Sequence, residues 1–559
     1  MIYSKILLAL LPWWTPLIPP QGISCLKGYL KSNGFQVKTV DLNLDYQFKR
    51  LYDKYFNALR SFIPEYHQGN IYNIGNDVWR DHHLAHIHYE DEGKYIELVK
   101  IIIFKIFYWK LNDQQVIELK NILNEFYSTL ESFFVHLLEK EKPDVVGLSV
   151  YRDTIAPSMF IFRLIKEKDP KILTIMGGSI FTIQLPLGSP NLDYFLEKTK
   201  NTIDKIIVGE GEILFLKLLR GELPQSQRLF TVADIGGERL GFPPIEMYDF
   251  ADFDPHHYYM AGQGSVSCPN KCSFCNVASF YGEYRRKNPL KTVEEMIYIF
   301  KEYNSQLFYM IDSLLNDVIT DIANEIINRE LSLYWDGYLR VPETLSKELA
   351  LLWRRGGFYR ARMGIESGSQ KLLDLMAKGI TVDQIRETIS NLAYAGIKTT
   401  LYIVIGHPGE TEEDFQMTLD LLTELKNDIW EAECNPFFYT YSGQTRNDIW
   451  SKKRALLYPE WAKDLLICQT WIVDTEPSRE IFFDRIYRFI EHCKKLGIST
   501  PWSMQSVHKQ DQRWKMLHHN SVPALKDLIK KSEYIQENKY VTQLIPARKI
   551  QQDDEEFEF

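Results

Sequence analysis

Apolar positions along this chain fall into short, nearly unbroken runs separated by stretches with helical spacing. Such runs read as strands buried on both faces of a parallel sheet, with the intervening stretches as covering helices. Residues 5–11 form the first run, followed by a turn rich in proline, Pro12-Trp-Trp-Thr-Pro16-Leu-Ile-Pro19-Pro20. Ile23, Leu26 and Leu30 then recur at helical spacing up to Asn33-Gly34, a helix-stop signal. A second run covers 35–40. From about 43 to 141 the pattern becomes helical and rich in Tyr, Phe and Ile, with the apolar run 99–109 predicting a buried helix. Strand runs resume at 144–150, 172–176 and 205–208, with a helix over 159–167. The last two runs end in Gly177-Gly178-Ser179 and Gly209-Glu210-Gly211-Glu212. Alternating strands and helices predict a doubly wound, Rossmann-like parallel sheet over 1–230 with a helical insertion at about 43–141. Ligands of such sheets lie beyond the carboxyl ends of the strands, where these glycines fall. Glycine permits positive φ and close backbone approach, though it serves ordinary tight turns equally well.

A second regular alternation occupies 255–450. Strands are predicted at 258–266, 307–311, 333–338, 359–365, 399–405 and 435–441. Helices are predicted at 293–303, 318–329, 346–355 and 382–395, and Thr411-Glu-Glu-Asp414 opens another in capping-box style. Six βα-type units are too few for a closed (β/α)8 barrel and predict an open, partial (β/α)6 barrel. The rest, 451–559, reads as helical at 450–457, 459–472, 479–496 and 521–537, with an acidic tail. Trp502, Met504, Trp514 and Met516 either cap the barrel mouth or, the favoured reading, pack in the core.

Composition narrows the function classes. A net charge of −9 offers no basic field for a phosphate backbone, so nucleic acid is not the expected partner. The longest apolar run is too short for a membrane span. Seven cysteines in 559 residues make no disulfide scaffold and fit a reducing cytoplasm. A monomer is expected.

The chemistry concentrates in Cys268-Pro-Asn-Lys-Cys272-Ser-Phe-Cys275, three thiols at C-x3-C-x2-C spacing. Thiolates favour iron–sulfur clusters, zinc or copper(I), and ordinary cluster and structural zinc sites take four ligands. Three from one loop leave a metal corner open, and Phe274 can cover the cluster edge or a flat ligand. A zinc knuckle completed by Cys434, His256 or His257 is the alternative. The cysteines, Asp312, Arg340, Glu366 and the Gly406 loop all follow predicted strands, which is where such folds build their sites.

The triplet, with an aromatic before its last Cys, resembles the radical S-adenosylmethionine (SAM) family. So do Gly364-Ile-Glu-Ser-Gly-Ser369 followed by Met376-Ala-Lys-Gly379, and Val404-Ile-Gly-His-Pro-Gly-Glu-Thr411. The resemblance implies a [4Fe-4S] cluster on Cys268, Cys272 and Cys275, with SAM on the fourth iron. It further implies SAM contacts from Phe274, Asp312, Arg340, Glu366, Ser367 and Gly406, and an external electron donor of flavodoxin or ferredoxin type. The glycine-ended strands upstream resemble the cobalamin-binding domain of B12-dependent members. That likeness implies cobalamin contacts from Ser149, Tyr151, Arg152, Gly177, Gly178, Ser179, Gly209, Glu210 and Gly211. Many such domains carry D-x-H-x-x-G after the first strand, whose His ligates cobalt, whereas residues 12–22 contain no His. Together these imply a methyltransferase acting on a carbon of a peptide or small natural product. Rearrangement, cyclisation or oxidation without methyl transfer is the alternative, and a non-catalytic cobalamin or metal sensor a more remote one.

Overall fold

In the computed structural model, residues 3–69, 71–253, 259–437, 458–467, 476–500 and 504–518 are described. The chain divides into two compact units. One comprises Met1–Pro255, Ser273–Gly282 and Phe438–Phe483, the other His256–Cys272, Glu283–Phe437 and Asp484–Phe559.

The first unit is built on a six-stranded parallel sheet: β1 (Lys5–Leu10), β2 (Gln36–Asp41), β3 (Val145–Ser149), β4 (Leu173–Gly177), β5 (Lys205–Val208) and β6 (Leu229–Thr231). Its order is β2-β1-β3-β4-β5-β6, with every pair parallel. The Rossmann-like expectation is met, and the short β6 adds a strand the apolar runs did not show. Ile6, Leu7, Leu8 and Ala9 are buried, as double-sided covering requires. The insertion consists of helices Tyr46–Phe62, Glu65–Gln68, Ile71–His88, Glu92–Phe107 and Asp113–Glu141. Val99, Ile102, Ile103 and Ile106 are buried, so the apolar run at 99–109 is a core helix. Among the described residues no helix is long and apolar enough to cross a membrane.

The second unit is an open barrel of six parallel strands in sequential order. They are β7 (Tyr259–Gly262), then β10 (Leu307–Met310), β11 (Tyr334–Leu339), β12 (Phe358–Glu366), β13 (Lys398–Ile405) and β14 (Glu431–Pro436). Two short strands intervene, β8 (Ser265–Val266) and β9 (Arg285–Arg286), paired antiparallel. The expected strand at 258–266 is therefore two pieces, broken at Gln263-Gly264. The sixth strand begins earlier than expected, at Glu431, and of the expected 435–441, residues 438–441 lie outside the described residues. Its glutamates hide it: Glu431 is buried and paired to Arg360 of β12 at 2.7 Å. The barrel interior is polar here, so the strand carries no apolar run.

The C-terminal expectations fare unevenly. The helix Arg479–Leu496 is present, while 459–472 yields a 3-10 turn, Glu460–Leu465, within the described residues. A helix Met504–Leu517 stands where none was expected. Trp514 is buried against Ala393 and Trp430 and donates its indole N–H to Gly396 O at 3.2 Å. It packs in the core, as favoured, and Met516 is exposed. The expected helices at 450–457 and 521–537, and Trp502, lie outside the described residues, as does the side chain of Met504.

Candidate functional site

The root of the cysteine loop is clamped by the strands around it. The Gly264 N–H donates to both Asp312 oxygens at 3.0 Å, and the Ser265 hydroxyl donates to Leu314 O at 2.8 Å. Lys287 N–H returns to Gly264 O at 2.7 Å. Asp312 thus holds the chain that enters the loop. Burial lifts its carboxyl to about 6.

Cys268 and Cys272 are half-buried and Cys275 exposed, and none of the three is in a disulfide. Asn270 Nδ2 donates to Cys268 Sγ and Arg340 Nη1 to Cys272 Sγ, each at 3.4 Å. Arg340 is set by a reciprocal backbone clamp with Asn316, at 2.9 and 2.8 Å. These donors suit anionic sulfur. Phe274 is half-buried between Cys272 and Cys275. Asn276, next to Cys275, donates to Thr182 O at 3.1 Å. That ties it to the turn Ser179–Thr182 that follows Gly177-Gly178. Cys434 is buried within β14, and His256 and His257 lie outside the described residues. Among the described residues no cluster of His, Cys, Asp and Glu is arranged to hold a metal ion.

At the end of β12, Glu366 adopts a left-handed φ of 63°. Backbone strain of this kind gathers at functional sites. Its carboxylate pairs with Lys378 at 2.5 Å, both buried. Gly364 makes room, since a Cβ there would lie 2.3 Å from Glu366 Oε1. Nothing in the local sequence around Lys378 marks it as a partner of Glu366, 12 residues before it. The pairing arises only when the turn brings Lys378 back to the end of the strand. Ser367 is buried and braces the turn, with its Oγ 3.2 Å from Thr418 Oγ1 and accepting from Ser369 N–H at 3.0 Å. The Gly406 N–H donates to Glu410 Oε2 at 2.9 Å, and the same oxygen accepts from Arg485 Nη1 at 2.8 Å. Arg485 carried no readable signal, since an arginine in a helical stretch reads as solvated.

In the first unit a cavity of about 160 Å³ opens at the carboxyl edge of the sheet. Its lining includes Leu8 of β1, Ile23 and Leu26 of the following helix, Ser149, and Gly177, Gly178, Gly209, Glu210 and Gly211. Strands β1 and β3 flank the point where strand order reverses, the expected ligand position. Gly209 has φ 97°, and a Cβ there would meet nothing within 4 Å, so the backbone borders open space. Gly178 serves differently: with φ 111°, its Cβ would lie 2.4 Å from Val150 O. Tyr151 stacks on Trp14 of the loop after β1, centroids 5.1 Å apart. Arg152 pairs with Asp77 of the insertion helix Ile71–His88. Glu210 pairs with Arg239 at 3.2 Å. The cavity therefore gathers Ser149 and the five residues at the glycine-ended strands. Tyr151, Arg152 and Ser179 are not among the residues that line it.

Residues 264–422 match the model of the Radical SAM superfamily. The chain is 27% identical over 315 residues to an anaerobic magnesium-protoporphyrin IX monomethyl ester cyclase of Rubrivivax gelatinosus, covering 52% of this chain and 55% of that protein. It is 24% identical over 321 residues to an uncharacterized methyltransferase of Pyrococcus horikoshii, covering 52% and 66%. The chain thus spans between about half and two thirds of these relatives' lengths. In fold it is similar to the radical SAM methyltransferase TsrM of Kitasatospora setae, solved with cobalamin and a [4Fe-4S] cluster bound. The TM-score is 0.56 at 14% identity, over 95% of this chain and 100% of that one.

Proposed function

From a chain that carries a radical SAM domain at residues 264–422 and shares the fold of a cobalamin-binding member of that family, we propose a cobalamin-dependent radical SAM methyltransferase. Its substrate is a carbon centre of a peptide or small natural product. The observation that carries the reading is the glycine-bordered cavity at the carboxyl edge of the first sheet, on a chain that also bears the three-thiol loop. The cofactors supply the difficult chemistry: the cluster an electron for SAM cleavage, and cobalamin a carrier for the methyl group.

The chain's own residues bind and orient. Cys268, Cys272 and Cys275 would hold a [4Fe-4S] cluster, three thiols where an ordinary cluster takes four. Arg340, already aimed at Cys272 Sγ, offsets the negative charge of that site. The Glu366–Lys378 pair and the Gly406 turn line the SAM position, with Ser367 and Asp312 holding the backbone behind them. Ser149 and the Gly177, Gly178, Gly209, Glu210 and Gly211 turns cradle cobalamin. Residues 12–22 contain two tryptophans and no histidine, so that loop would offer no imidazole to cobalt. A flavodoxin or ferredoxin supplies electrons.

The cyclase relative favours one second reading, a cobalamin-dependent reaction that adds no methyl group. Anaerobic reconstitution with iron, sulfide and hydroxocobalamin tests the first step. About four irons and one cobalamin per chain are expected, and iron without cobalamin refutes the reading. Mass spectrometry of product formed from methyl-labelled SAM then separates methyl transfer from cyclisation.

A further inference from the structure

The helix Arg479–Leu496 lies outside the family match, yet it reaches the turn that follows β13. Glu410 Oε2 accepts two hydrogen bonds, from the Gly406 N–H at 2.9 Å and from Arg485 Nη1 at 2.8 Å. Arg485 Nη1 also donates to the Glu410 carbonyl at 3.2 Å. Both side chains are buried, Arg485 at 4% and Glu410 at 2% exposure. The arrangement is reinforced by Glu412, which lies 3.4 Å from Arg485 Nε and takes a bidentate pair from Arg488 at 2.6 and 2.9 Å. Both guanidinium groups lie over the Phe415 ring, at 5.8 and 4.8 Å.

The geometry points to Arg485 as a positioning residue for SAM, acting through Glu410 on the Gly406 turn. This rests on the reading that the Gly406 turn flanks SAM. A buried carboxylate needs a counter-charge to remain an acceptor. Without Arg485, the stranded Glu410 carboxylate turns toward water, and the Gly406 N–H loses its fixed acceptor. Gly406 has φ 81°, a conformation with little intrinsic preference, so the turn depends on that bond. Arginine suits the role because its planar fork serves Glu410 and Glu412 together, which an ammonium cannot. The C-terminal segment is thus a structural part of the SAM pocket.

The test measures SAM dissociation constants by equilibrium dialysis on the reconstituted full-length protein. Wild type, R485A, R485K and the double variant E410Q/R485M are compared, with thermal melting alongside. R485A is expected to weaken SAM by about 10- to 100-fold, the factor that corresponds to leaving one buried hydrogen-bonding group unsatisfied. In E410Q/R485M a neutral amide still accepts from Gly406 and no buried charge is stranded, so affinity returns toward wild type. A merely structural role would lower the bound fraction while the folded molecules kept the wild-type constant. Folded R485A binding SAM within about twofold of wild type overturns the inference and leaves the SAM reading standing. Wild type that binds no SAM overturns the underlying reading. Should R485A fail to fold, R485K decides: weakened affinity at an unchanged melting temperature supports the assignment, and wild-type affinity refutes it.

Discussion

Two glycines border the same cavity for different physical reasons, and substituting each with alanine separates them. At Gly178 the backbone has φ 111° and ψ −179°, a region essentially reserved for glycine. Holding alanine there costs about 1–3 kcal/mol. Its Cβ would also stand 2.4 Å from Val150 O and 2.5 Å from Val150 N. Those are backbone atoms fixed by the Val150 N–H to Gly177 O bond at 2.8 Å, so they cannot yield cheaply. Overpacking of this kind adds about 1–3 kcal/mol. The G178A variant should therefore lose ~2–6 kcal/mol and, with the β4 turn displaced, its cobalamin. At Gly209 the φ is 97° but a Cβ meets nothing within 4 Å. G209A should lose only about 1–3 kcal/mol from backbone strain, while its methyl group projects into the space assigned to the ligand. Urea unfolding followed by tryptophan fluorescence reads the stability, and hydroxocobalamin retained after gel filtration reads the site. G178A as stable as wild type would refute the steric argument. G209A retaining cobalamin in full would refute the placement of the ligand at that backbone.

Three further outcomes are expected. Lys378→Met should strand the Glu366 carboxylate and cost about 3–5 kcal/mol in urea unfolding, whereas E366Q/K378M recovers most of it; equal losses in single and double variants would deny the pairing its importance. Burial raises the folded Asp312 carboxyl to about 6, above its unfolded value, so it favours folding when protonated. Stability from this group is present below about pH 4 and falls as pH rises toward 6, by about 1–3 kcal/mol. Asp312→Asn should flatten that slope between pH 4 and 7, and an unchanged slope would assign it elsewhere. Trp514→Ala should cost about 3–5 kcal/mol as a core truncation while leaving the SAM dissociation constant of the folded protein unchanged; a selective loss of SAM binding would restore Trp514 to the barrel mouth.

The local pattern was enough to place β1 to β5 and most of the barrel, because strands covered on both faces concentrate apolar residues and turn glycines close them. It also located the three thiols, since metal-binding spacing is written in consecutive residues. It failed where the environment, and not the local pattern, chooses the structure. Glu431 and Glu433 lie in a strand because the barrel interior is polar and Arg360 compensates Glu431. Gln263-Gly264 interrupts the first barrel strand because Asp312, 48 residues on, captures the Gly264 amide. Lys378, Asn316 and Arg485 acquire their roles from partners 12, 24 and 75 positions away. By itself, then, the amino-acid order determined the α/β class, the partial barrel and the position of the three-thiol loop. Tertiary folding alone decided which charges are buried as pairs, which glycine borders a cavity and which is a steric necessity, and how a C-terminal arginine comes to hold the Gly406 turn. Such contacts depend on distance in space, on which spacing along the chain carries no information.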